Sequence, residues 1–172
     1  TKNTKTIPEH KQILPGSTGL VVGRFYPYHK GHKFLLEEAL KQVETLHVII
    51  VGRVNQTIPW QQRSEWIKNS LDSPRVHIVG FDQDAIGLAD LDPEGWAKMA
   101  IEKVGYPDKV FCSESYQKDF ANNLRAELVV VDESRTNVPV SGTSIRDNPV
   151  ANRDLLEPNV FSDIISYQAL AN

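Results

Sequence analysis

Five short apolar runs rich in β-branched residues alternate along this chain with longer stretches of helical periodicity. The strand candidates are Gly19–Gly23, Leu46–Gly52, Arg75–Phe81, Lys109–Ser113 and Ala126–Asp132, and the helix candidates are Lys30–Glu44, Trp60–Leu71, Pro93–Val104 and Tyr116–Leu124. Strand–helix–strand alternation leads to right-handed crossovers, and so to a parallel sheet that carries helices on both faces. The pattern therefore predicts an α/β fold, a doubly wound parallel sheet of about five strands. At 172 residues the chain can bury one real core and is too short for two domains of ordinary size. We divide it into a loosely ordered lead-in over 1–18 and one domain over 19–172, ending in a helical tail.

The segment Gly23-Arg24-Phe25-Tyr26-Pro27-Tyr28-His29-Lys30-Gly31-His32 falls where the first strand ends and the first helix begins. In an open α/β sheet, ligands bind at the carboxyl ends of the strands where the winding reverses, and the first strand normally flanks that point. Two imidazoles, the first N–H groups of a helix and the positive end of its dipole meet there, a setting made for phosphate. Gly23 is expected to let the chain leave the strand sharply, and Gly31 to give a ligand room against the backbone. A pair of histidines near a helix start is more often a cap or a surface feature. It is also a poor zinc site with no carboxylate or thiol beside it. The length of the run Phe-x-Pro-x-His-x-Gly-His favours phosphate binding. Leu35, Leu36, Ala39, Leu40 and Val43 form the stripe that anchors this helix to the sheet.

Further along, Arg63 sits in the first turn of the second helix, an awkward place for a cation without an anionic partner. Taken alone it reads as a solvated side chain. The segment from Phe81 to Asp92 carries four carboxylates, among them Asp84, and a loop of that length tends to be functional. It closes on Asp92-Pro93-Glu94, an N-cap followed by proline at the first helical position and an acid in the first turn. Trp96 follows at the same sheet end, where an indole suits a planar cationic ring. Trp60 and Trp66 read as core, and Cys112, inside a strand, as a small core residue. After the last strand, Ser141, Gly142, Thr143 and Ser144 bring hydroxyls and open backbone to another helix start, with Arg146 behind them. A serine cap accounts for part of this, and a second anion cradle facing the first accounts for the whole.

Composition excludes several classes. A formal net charge of −3 gives no electrostatic footprint for nucleic acid. The longest apolar runs are far too short to span a membrane, and residues 1–18 lack the apolar centre of a signal peptide. One cysteine rules out an internal disulfide, and a reducing cytoplasm is the default. The missing initiator methionine suggests a processed or trimmed chain. The tail after Asn152 reads as a short helix with Phe161, Ile164 and Ile165 on its apolar side.

Phe-x-Pro-x-His-x-Gly-His near the start, together with Ser-Gly-Thr-Ser-Ile-Arg near the end, resembles the paired motif of the small-molecule nucleotidyltransferases. Within that superfamily the chain is most similar to nicotinamide mononucleotide adenylyltransferases, and among these to the adenylyltransferase half of the NadR-type proteins. The closer likeness rests on residues 23–32, Leu46–Ile49, Gly95-Trp96, Phe111–Glu114, and Val131, Asp132, Arg135 and Thr136 ahead of Ser141–Arg146. It covers roughly residues 19–150.

The resemblance implies a Rossmann-like fold and adenylyl transfer from ATP to nicotinamide mononucleotide, with Mg²⁺ carried mainly on the ATP phosphates. It assigns His29, His32 and Arg146 to catalysis, and Gly23, Arg24, Phe25, Gly31, Asp132, Arg135, Ser141, Gly142 and Thr143 to ATP. Trp96 is assigned to the nicotinamide ring, with Tyr26, Arg63 and Asp84 at the same nucleotide, and no protein metal cluster is implied. Two departures stand out. Met99 occupies a position where NadR-type proteins often carry a second tryptophan, and no Gly-x-x-x-x-Gly-Lys-Ser/Thr occurs, so kinase activity is not expected from this chain. Three alternatives stay open: phosphopantetheine adenylyltransfer, cytidylyltransfer to a phospho-alcohol, and a module that senses NAD or its precursor without turnover. Arg24 and Tyr26 stand where the first two families usually have Thr and Asp. A synthetase core is disfavoured by length, charge and the lack of a Lys-Met-Ser-Lys-Ser-like loop. No nucleic-acid or membrane partner is expected, and homo-oligomerisation is left open.

Overall fold

Strand β1 (Thr18–Gly23) pairs in parallel with β2 (Thr45–Gly52) on one side and β4 (Lys109–Cys112) on the other. Beyond them lie β3 (Val76–Asp82) and β5 (Glu127–Val130), giving five parallel strands in the order β3-β2-β1-β4-β5. This computed structural model describes residues 13–114, 117–132 and 141–171. The α/β doubly wound sheet predicted from the alternation is the fold observed. The lead-in as far as residue 12, the Tyr116 start of the fourth helix, and Arg135 and Thr136 lie outside the described residues.

Side chains alternate across the sheet as strand geometry requires. Val21, Val48 and Ile50 face α1 (Lys30–Leu40), α2 (Trp60–Leu71) and the tail, while Leu20, Ile49 and Val51 face α3 (Pro93–Val104) and α4 (Lys118–Asn123). Each face thus has its own core. Leu36 and Ala39 of α1 are fully buried. Burial of a leucine side chain contributes roughly 1.5–3 kcal/mol, enough to hold the start of α1 in place beside the sheet end.

The helix ends at Leu40 where the periodicity predicts Glu44, and the reason is Arg75. Its guanidinium donates to the carbonyl oxygens of Leu40, Val43 and Glu44, satisfying acceptors that the helix leaves open and turning the chain into β2. Val43 is still fully buried.

After α5 (Gly142–Asp147) the chain forms a long final helix, α6 (Pro158–Ala171). Val160 and Ile164 are its buried residues, and Phe161 packs at the margin. Ile165, expected inward, is 37% exposed. The tail packs against α2: Trp66 Nε1 donates to Asp163 at 2.8 Å, and Glu157 accepts from Lys33 Nζ at 2.9 Å and from Ser70 Oγ at 3.1 Å. It therefore braces the helix that carries His32. Trp66 and Cys112 are core residues, as expected, and Trp60 packs over Gly80 of β3, where a Cβ would sit 2.2 Å from the indole. No helix among the described residues is long and apolar enough to cross a membrane.

Candidate active site

The winding reverses at β1, whose neighbours are β2 and β4, so the crevice predicted for ligands opens at its carboxyl end. The chain leaves β1 through Phe25, which adopts φ 49, and through a cis Tyr26–Pro27 peptide. The sharp exit assigned to Gly23 is thus made two residues later. Gly23 serves by lacking a Cβ, which would lie 3.1 Å from the Phe25 ring. A left-handed phenylalanine costs on the order of 1–2 kcal/mol and persists where packing fixes it. Phe25 is 1% exposed, with its ring 4.7 Å from that of His32.

His29 is the N-cap of α1 and His32 is its third residue. His29 Nδ1 accepts from the His32 backbone N–H at 3.2 Å, and His32 Nδ1 accepts from the His29 backbone N–H at 3.1 Å. This is a reciprocal capping box made by two imidazoles, where Ser and Glu are the usual pair. The cap reading of this histidine pair therefore holds. An accepting nitrogen carries no proton, so in each neutral ring the proton is on Nε2, the nitrogen that the cap does not use. The rings stack with centroids 3.6 Å apart and 15° from parallel, and Tyr28 stacks on His32 from 6.1 Å. One helix N–H expected to bind phosphate is consequently satisfied within the chain.

Both histidines line a cavity of about 210 Å³. Gly23, Phe25 and Gly31 line it from the first motif, Asp132 from beyond β5, and Ser141 and Gly142 from the far end of the chain. The two cradles that the sequence keeps more than a hundred residues apart therefore share one cavity. Ser141 is the N-cap of α5, its Oγ accepting from Ser144 N at 3.2 Å. Arg146 donates from Nη1 to the Tyr26 carbonyl at 2.5 Å and lies over the Tyr26 ring at 5.0 Å. Gly142 allows that approach, since a Cβ there would sit 2.8 Å from the same carbonyl oxygen. Thr143 Oγ1 lies 3.5 Å from Arg146 Nη2 and does not line the cavity. Glu114 and Gln117, which the sequence reading passed over as site residues, also line it.

A second cavity of about 670 Å³ adjoins the first, and Val22, Gly23 and Gln117 belong to both. Trp96 lines it, half-buried, with Nε1 donating to Ala89 O at 2.9 Å and the indole tilted against Phe81. Asp92 caps α3 through Gly95 N at 3.0 Å, as predicted. Met99, 5% exposed, packs in the core beneath α3 and leaves the cavity to Trp96 alone among the tryptophans. Arg24, assigned to ATP, lines this second cavity, with Nη2 donating to Gln83 Oε1 at 2.8 Å. Asp84, assigned to the nicotinamide nucleotide, is exposed and accepts from Val54 N at 3.2 Å; it fastens two loops and lines neither cavity. Asp90, Asp92 and Asp119 are the carboxylates that line the second cavity, and Asp90 receives Gln83 Nε2 at 2.6 Å and Arg53 Nη2 at 2.9 Å. Hydrogen bonding from Gln83 and the nearby Arg53 and Arg24 charges hold its carboxyl below the usual range.

Arg63, expected solvated or at the ligand, is 0% exposed. Its guanidinium donates to the carbonyls of Ile58, Arg24 and Val51 and to Gln56 Oε1, and it lies 4.4 Å above the Tyr26 ring. The partner its position demanded is thus a set of neutral oxygens. Burial pushes its pKa down to about 10, and it stays charged at neutral pH. Its place is beneath the site, locking the strand exit on which Arg24 and Tyr26 ride. Among the described residues, no group of three or more His, Cys, Asp or Glu side chains is arranged to hold a metal ion.

With this geometry in view, the chain is similar to known proteins in three ways. The family described as the citrate lyase ligase C-terminal domain matches residues 18–84, from β1 into the loop after β3. The trifunctional NAD biosynthesis/regulator protein NadR of Escherichia coli (strain K12) is 29% identical over 163 residues, 83% of this chain and 38% of that protein. Among solved structures, a NadR protein in complex with NAD and AMP-PNP superposes with a TM-score of 0.53 at 18% identity, covering 77% of this chain and 42% of the other. A bifunctional NMN adenylyltransferase/ADP ribose pyrophosphatase from Francisella tularensis gives a TM-score of 0.67 at 14% identity, over 89% and 50%. The chain spans about half or less of the length of each of these relatives. The structural likenesses establish a nucleotidyltransferase-like α/β fold.

Proposed function

We propose that this chain, a homologue of the NadR proteins built on the nucleotidyltransferase-like fold, transfers the AMP moiety of ATP to nicotinamide mononucleotide, forming NAD and pyrophosphate. One observation carries this reading. Two cavities join at the carboxyl end of β1, the first lined by His29, His32, Ser141 and Gly142 and the second by Trp96, with Gly23 in the wall they share. A paired-histidine phosphate cradle beside an indole-walled cavity suits a triphosphate and a planar cationic ring, held so that their phosphates meet. That a NadR relative was solved with NAD and AMP-PNP supports the same pairing of ligands.

The chemistry needs little from the protein beyond position and charge. The nucleophile is a phosphate monoester, already anionic at neutral pH, so no general base removes a proton. One of its oxygens attacks the α-phosphorus of ATP, a new P–O bond forms, and the bond to the β-phosphate breaks with its electron pair leaving on pyrophosphate. His29 and His32 offer Nε2–H donors to the phosphate oxygens on which charge builds. Arg146, which rests on the Tyr26 carbonyl and lines neither cavity, would turn from there to reach the β- and γ-phosphates. Trp96, fixed through Ala89, stacks on the nicotinamide ring. Glu114 and Asp132 bring carboxylates to the cavity, oxygen donors of the kind that Mg²⁺ accepts alongside phosphate. Mg²⁺ carried on the triphosphate would supply charge neutralisation there, with Glu114 and Asp132 as the residues that would stand beside it.

The test is product formation from ATP and Mg²⁺ against nicotinamide mononucleotide, its acid analogue, phosphopantetheine and glycerol phosphate, read by mass spectrometry. NAD as the main product is expected. Nucleotide binding with no product would replace catalysis by ligand sensing, and a different main product would move the chain elsewhere in the superfamily.

A further inference from the structure

Gln117 stands where the two cavities meet and lines both of them. Its side-chain oxygen Oε1 is shielded from solvent and has no hydrogen-bond partner among the described residues. A shielded acceptor has given up the water that served it in the unfolded chain and has received nothing in exchange. In a ligand site, that is the mark of a donor that arrives with the ligand.

Which donor arrives follows from the chemistry of the two substrates, and here the argument rests on the reading proposed above. At the wall between the cavities the reacting phosphates meet, and at neutral pH their oxygens are acceptors. The exocyclic amine of adenine and the carboxamide of nicotinamide are donors, yet they are the far ends of the two nucleotides and belong at the outer ends of the joined crevice. Between the phosphates and those ends lie the two riboses, whose hydroxyls are the donors within reach of the middle. We propose that Gln117 is a substrate-binding residue that accepts a hydrogen bond through Oε1 from a ribose hydroxyl of one of the two nucleotides, holding it in register with the histidine pair. The contact sets orientation where the two phosphates must align, a place where small misplacements are costly.

The test uses Gln117→Met, close in shape and without the amide. Its melting temperature is expected to equal or exceed that of the parent, because the substitution removes an unmet acceptor; a glutamine kept for structure would leave the variant less stable. Its kcat/KM with ATP and nicotinamide mononucleotide is expected to fall about tenfold, the worth of one hydrogen bond. The comparison is repeated with 2′-deoxy and 3′-deoxy forms of each nucleotide. The loss should vanish for the analogue lacking the hydroxyl that Gln117 holds, which also identifies the ribose. A lower melting temperature, an unchanged kcat/KM, or an equal loss on every analogue overturns the assignment. If the parent chain turns over no substrate, the same cycle is read as the Kd of ATP and of the mononucleotide against their deoxy forms. Coupling there keeps the Gln117 contact while the transfer reaction falls, and no coupling removes both.

Discussion

His29 and His32 cap each other: each Nδ1 receives the other residue's backbone N–H, at 3.2 and 3.1 Å, while the rings stack 3.6 Å apart. The cap and the proposed chemistry use different nitrogens of the same rings, so substitutions can separate them. His29→Asn keeps a side chain that caps well and loses Nε2, so it should melt close to the parent and lose activity. His29→Ala loses both and should cost about 1 kcal/mol of stability as well. His32→Ala should lower kcat by roughly 10²–10³, comparable to removal of one transition-state donor. Thermal melts and steady-state kinetics on the three variants check this, and His32→Ala activity within a few-fold of the parent would remove His32 from the reaction.

The candidate site is legible in the sequence where its geometry is local. The histidine run, the Asp92 cap, Ser141 and Trp96 each declare themselves within a few residues of a strand end or helix start, and the structure places each at one. Arg53, Gln83 and Asp90 form their network only after β2 and β3 lie side by side, and no spacing in the chain announces that contact. Asp84 stands out in its loop for its charge alone, yet the carboxylates that line the second cavity are Asp90 and Asp92 of that loop and Asp119 of α4. Arg63 was misread because its partners are carbonyl oxygens, which every residue has and no sequence pattern marks.

Arg63 therefore makes a prediction about the fold more than about the ligand. Arg63→Ala strands several shielded carbonyls, each worth roughly 1–3 kcal/mol when left unmet, so a loss of about 3 kcal/mol or more is expected. Arg63→Lys should recover only a minor part, since an ammonium cannot reproduce the fork. Chemical denaturation of both variants measures it, and a lysine variant as stable as the parent would contradict the account.

Trp96 should act on one substrate alone. Trp96→Ala is expected to raise the KM for nicotinamide mononucleotide about tenfold, and Trp96→Phe much less, while the KM for ATP stays near the parent value. Equal changes in both KM values would mean that the indole shapes the whole crevice.

His47 and His77 face each other across β2 and β3 with ring centroids 5.6 Å apart. Burial, and then the neighbouring His77, hold His47 below the usual imidazole range. The unfolded chain takes up this proton first as pH falls, so the stability tied to His47 is complete above about pH 6.5 and is lost as pH drops through the lower folded value. Melting temperatures between about pH 7.5 and pH 5 should fall less steeply in His47→Gln than in the parent. Parallel curves would show that this pair does not govern the acid side.

The most direct measurement of the central claim follows the phosphorus atoms of ATP. With nicotinamide mononucleotide and Mg²⁺ present, label at the α-position should appear in NAD, and label at the γ-position in pyrophosphate. Label from the γ-position in a phosphorylated acceptor, or α-label confined to ATP while both nucleotides stay bound, would contradict adenylyl transfer at the joined cavities.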